Sequence, residues 1–145
     1  GRTALSLAIE KSFHGIIELI LNSPTDIRLN ELHGGCSLLF LAIESGNTPL
    51  VKRLLYLGAD PRIRTQFQET VFHASAYSED FDLFQLMVNT VGEEDVHAAD
   101  YDQETPLHIA ARLDCFNIFE SLLALRAPID AVSIHGATPL TEAAK

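Results

Sequence analysis

Tryptophan is absent from this chain, methionine occurs once and cysteine only twice. Two cysteines cannot staple a domain of 145 residues, and Cys36 and Cys115 fall about two structural units apart. At roughly 8–10 Å per packed helix layer they sit about 20 Å from each other, beyond disulfide reach. No N-glycosylation sequon occurs, and no signal peptide is visible. The longest unbroken apolar run is residues 38–43, far below the ~20 residues that cross a bilayer, so direct membrane insertion is excluded. Together these absences point to a reducing, intracellular compartment, cytoplasmic or nuclear. Phosphate loops, nucleophile elbows and H-E-x-x-H helices are also missing, which leaves no enzyme signature.

What is present is a repeat. The stretch "TPLHIAAR" from Thr105 returns as "TALSLAIE" from Thr3, "SLLFLAIE" from Ser37, "TVFHASAY" from Thr70 and "TPLTEAAK" from Thr138, at spacings of 34, 33, 35 and 33 residues. That period signals a solenoid, whose units bury their apolar faces only against neighbours. Thr105 fits a helix N-cap, and Pro106 fits the first helical position, where its missing N–H costs nothing. His108 stands three residues after the cap, where a capping-box side chain reaches back to the cap backbone. A second helix follows in each unit. Its apolar sets are Ile16, Ile17, Ile20 and Leu21; Leu50, Val51, Leu54 and Leu55; Leu83, Phe84, Met87 and Val88; and Ile118, Phe119, Leu122 and Leu123. This spacing describes one broad helix face and no strand.

Units of about 33 residues that open on T-P-L-H resemble ankyrin repeats, on the strength of "TPLHIAA" (105–111), "GNTPLVKRLLYLGADP" (46–61) and "GATPL" (136–140). The resemblance implies an all-α solenoid of stacked helix–turn–helix units joined by β-hairpin connectors that project as fingers. The units are placed at about 1–34, 35–67, 68–102 and 103–135, with a partial unit at 136–145, as one domain and an excerpt of a longer array. Some positions depart from the pattern. Only Gly46 is glycine at the turn between paired helices, where the other units carry Ser12, Glu79 and Asp114. After the second helix Gly58 is kept, but Pro24, Val91 and Arg126 stand elsewhere, and two extra residues fall within 90–95.

Charge is unevenly spread. The net charge is −10, and residues 68–104 hold ten acids with no lysine or arginine. Just upstream, Lys52, Arg53, Arg62 and Arg64 form a local basic cluster. The acidic span favours a basic protein partner and disfavours nucleic acid. A calcium loop counted from Asp100 needs glycine sixth and an acid twelfth, but Thr105 and Ala111 stand there. The six histidines show no ligand spacing, so no metal or cofactor is expected.

The family's geometry puts the connector tips and the ends of the first helices on a concave face. Leu32, Phe67, Tyr101 and Ile134 are apolar where a tip is ordinarily polar. Two readings stay open: packing against neighbouring fingers, or an interface core with a charged rim. The expected partner-binding set is Phe67, Tyr77, Tyr101 and Leu113 as apolar anchors, with Glu69, Asp102 and Glu104, and Asp100 beside them, pairing with lysine or arginine. The functional expectation is a protein-interaction module for a basic, apolar segment. The alternatives are a structural segment of a longer array (a channel tail or cytoskeletal adaptor) and the targeting module of an enzyme whose catalytic domain lies elsewhere.

Overall fold

The computed structural model describes residues 1–24 and 26–144; Thr25 and the final Lys145 lie outside it. Among these residues the helices are α1 (Ala4–Glu10), α2 (His14–Leu21), α3 (Leu38–Glu44), α4 (Thr48–Tyr56), α5 (Val71–Ser78), α6 (Phe81–Val91), α7 (Pro106–Arg112), α8 (Phe116–Ala124) and α9 (Pro139–Ala143). The first helices α1, α3, α5, α7 and α9 stack in a row, and α2, α4, α6 and α8 each lie on the back of their own partner.

Each first helix is short, so capping decides where it starts. Thr3, Thr70 and Thr138 each cap with a side chain that accepts a backbone N–H, and Ser37 accepts that of Phe40. His73 and His108 complete capping boxes as the sequence suggests: each Nδ1 accepts the N–H of its cap threonine, at 3.0 Å from Thr70 and 3.2 Å from Thr105. Small residues such as Ala42, Ala74, Ser75 and Ala110 are fully buried where neighbouring first helices meet. The second-helix sets are buried at Ile17, Leu50, Val51, Leu54, Leu83, Phe84, Met87, Ile118 and Leu122. Ile16 and Leu123 differ: both are exposed, because they lie on the flanks of a face narrower than the spacing suggested.

The non-glycine turns keep the repeat geometry. Ser12, Glu79 and Asp114 take the same left-handed conformation as Gly46, with φ of 56°, 57° and 55° against 68°. The extra residues at 90–95 enter as helix: α6 runs for 11 residues where α4 and α8 have 9. Val91 therefore belongs to the helix, and the positive-φ residue closing it is Gly92.

The connectors are hairpin turns. Thr65 and Asp100 donate their N–H groups to the carbonyls of Glu69 and Glu104, and Ser133 donates to Ala137. The buried oxygen side chain at each of these three positions folds back on the turn. The first finger is one residue shorter. His33 and Cys36 form an isolated antiparallel bridge around Gly34 and Gly35, both at positive φ, as a two-residue hairpin of the primed type requires. No other strand pairing is present among the described residues.

Candidate functional site

Successive fingers are tied to each other by backbone. Gln66 donates to the carbonyl of Gly35 at 2.8 Å, Tyr101 to Phe67 at 2.9 Å, and Ile134 to Asp102 at 2.9 Å. This ladder fixes which side chains meet. Between the second and third fingers and the end of α5 it leaves a cleft of about 260 Å³ lined by Phe67, Glu69, Tyr77, Asp100, Tyr101, Asp102 and Glu104. Six of the seven residues singled out from sequence are among them. The seventh, Leu113, follows α7 at 36% exposure and does not line the cleft.

The apolar tips are open to solvent. Phe67 is 55% and Tyr101 63% exposed, and Leu32 and Ile134 are exposed as well. Tyr77 is half-buried on the last turn of α5 and lines the same cleft. Its phenol titrates well above the usual tyrosine range, first through burial and then through the charge of Glu69.

The acids fall into distinct environments. Glu104 is engaged: its Oε1 and Oε2 accept Nη1 and Nη2 of Arg112 at 2.7 and 2.9 Å, a bidentate pair. Arg112 also approaches Glu142 at 3.6 Å. The hydrogen bonds from Arg112 hold the Glu104 carboxyl below its ordinary value. Asp100 is buried, and its Oδ1 accepts the Glu104 N–H at 2.9 Å. Burial raises its pKa, while backbone donors oppose the rise. Glu69 accepts the Thr65 hydroxyl at 3.0 Å. Burial raises its pKa too, against the hydrogen bonds from Thr65 and Tyr77. Asp102 is exposed at the rim. Four carboxylates therefore line the cleft, and the Arg112 guanidinium pairs with one of them.

The structure revises the charge map drawn from sequence. Arg53 pairs with Glu18 at 2.6 Å and Arg64 with Asp95 at 2.7 Å, so the upstream basic cluster is partly neutralised within the chain. Glu104 meets Arg112, and one oxygen of Asp100 serves its own turn. The Arg112 pairing was the functional detail that sequence reasoning missed. Its signal was a basic residue at the end of the first helix directly after a finger that ends in Glu.

The ankyrin-repeat family matches residues 39–133 in three copies. The chain belongs to the ankyrin-repeat family. An ankyrin repeat protein of fowlpox virus is 32% identical over 101 residues, covering 70% of this chain and 22% of that protein. Human neurogenic locus notch homolog protein 1 is 32% identical over 110 residues, 76% of this chain and 4% of its own. Human notch homolog protein 2 is 29% identical over 136 residues, 93% of this chain and 5% of its own. The chain thus spans under a quarter of the length of these relatives. Ankyrin repeats are generally protein–protein interaction modules without catalytic chemistry of their own. No described helix is long and apolar enough to cross a membrane.

Proposed function

We propose that this chain binds a protein segment carrying basic and apolar residues, through the finger tips and concave face of its third and fourth units. The supporting observation is the cleft, where exposed Phe67 and Tyr101 flank half-buried Tyr77 beside carboxylates that outnumber the local cations. Aromatic anchors ringed by charge are the composition of an interface core with its rim. The rigid helices behind them limit the ordering entropy lost on binding. The acids at the same face disfavour nucleic acid.

Amide shifts of the labelled chain during titration with a lysine- and leucine-rich peptide test this reading. They should concentrate at residues 66–69, 77 and 100–104; a response confined to the backs of α4, α6 and α8 would end it. A second reading, a segment of a longer array or an enzyme's targeting module whose partners bind elsewhere, draws on the small share of each relative that the chain covers.

A further inference from the structure

At about 260 Å³ the cleft lies below the ~300–1,000 Å³ typical of sites that enclose a small-molecule ligand. It has room for one side chain. The hydrogen-bonding state of its acids narrows which one. Both oxygens of Glu104 are taken by Arg112, whose charge is met there and by Glu142. Asp100 is buried with an oxygen committed to its own turn, and one oxygen of Glu69 accepts from Thr65. Negative charge remains inside the cleft without an open carboxylate edge for the bidentate pairing that a guanidinium fork favours. Asp102, the carboxylate with an open edge, stands at the rim in solvent. An ammonium needs no such edge: it is a compact point charge on a flexible methylene stem.

We infer that the cleft receives a lysine side chain from an extended partner segment, with its ammonium beside Glu69 and its stem against Phe67, Tyr77 and Tyr101. This rests on the reading above that the finger face binds a basic segment. Aromatic faces attract the cation and cover the apolar stem. Glu69 has lost water to burial without gaining a cation among the described residues, and an incoming ammonium supplies that charge. Asp102 draws the approaching segment from the rim.

The test is an NMR titration with short glycine–serine peptides that differ at one central residue: lysine, arginine or norleucine. The lysine peptide should shift Phe67, Tyr77 and Tyr101 at millimolar concentration. Norleucine, which keeps the stem and lacks the charge, should bind about tenfold more weakly, and arginine about fivefold more weakly. Glu69→Gln retains an acceptor for Thr65, so the fold should persist; lysine binding should fall about tenfold while norleucine binding stays unchanged. Equal affinity for lysine and arginine at this face overturns the lysine assignment and leaves the basic-segment reading standing. Equal affinity for norleucine makes the cleft merely apolar and overturns the assignment as well. If no peptide, including the lysine- and leucine-rich one, perturbs this face, both readings fall.

Discussion

The imidazole of His73 donates from Nε2 to the backbone carbonyl of Glu104, 3.2 Å away and 31 residues further along the chain. Its Nδ1 meanwhile accepts the Thr70 N–H, so one neutral ring caps its own helix and clasps the next finger. Burial, with help from the charge of Arg64, lowers its pKa from 6.5 to about 4, against the opposing pull of Glu104. The folded state then binds fewer protons than the unfolded one between those values. The stability His73 contributes is present in full above pH 6.5 and is lost as pH falls toward 4. Raised carboxyls at Glu44, Glu69 and Asp100 act in the opposite sense, so the comparison must be with a variant. His73→Gln keeps a cap acceptor without a titrating group. The stability gap between parent and variant should shift in the variant's favour on going from pH 7 to pH 4.5, by roughly 2 kcal/mol. Urea denaturation at each pH measures it, and a gap independent of pH would show that His73 titrates normally.

Leu107 is 1% exposed on α7, within the stacked row. Leu107→Ala should cost ~2–5 kcal/mol. Because stability in a stack passes between neighbours, hydrogen exchange should quicken in α5 and α9 as well as in α7. An unchanged denaturation midpoint would contradict the packing described.

Phe67→Ala and Tyr101→Ala remove side chains that are more than half exposed. Each should leave stability within about 0.5 kcal/mol and weaken binding of a basic partner peptide by ~2 kcal/mol or more. Calorimetric titration beside thermal melts separates the two effects. A large drop in melting temperature with binding intact would make the tips mutual staples.

Charge reversal should sort the acids by environment. Glu69→Lys and Asp102→Lys should slow association with a basic peptide, most clearly at low salt, and leave helicity intact. Glu104→Lys should in addition destabilise the fold, because it strands Arg112 beside a like charge. Circular dichroism melts of the three variants are the check; equal melting temperatures would mean that the Glu104–Arg112 pair contributes nothing.

Glu79 holds φ at 57° without a hydrogen-bonding advantage of the Asn or Asp kind. Glu79→Gly should therefore raise stability by up to about 1 kcal/mol, the relief of left-handed strain exceeding glycine's added chain entropy. A destabilised variant would show that the Glu79 side chain does work elsewhere.

The repeat was legible because its signals are local: a cap threonine, a proline at the first helical position and a histidine three residues on all act within one turn. Phe67, Tyr77 and Tyr101 could be grouped because a fixed period converts sequence offset into spatial adjacency. Ile16 and Leu123 were misjudged since spacing marks a face but not how far a neighbour covers it. Local spacing gives no sign that Glu104 meets Arg112, because that arginine comes from the far end of the following helix. The fate of residues 90–95 depended on whether an extra half-turn could continue against the stack, which no local pattern records.

The ladder linking Gly35 to Gln66, Phe67 to Tyr101 and Asp102 to Ile134 places one backbone hydrogen bond at each junction of the finger edge. The opposite side of each junction is dry packing of buried residues between first helices. The two sides yield differently when the stack flexes. Stretching a single backbone hydrogen bond at the tip costs far less than opening a close-packed helix interface, so the helices act as the pivot and the tips as the travelling end. Small changes in the curvature of the stack therefore alter the width between adjacent tips first. The same three amide protons that hold the fingers together are the gauge on which that breathing would register.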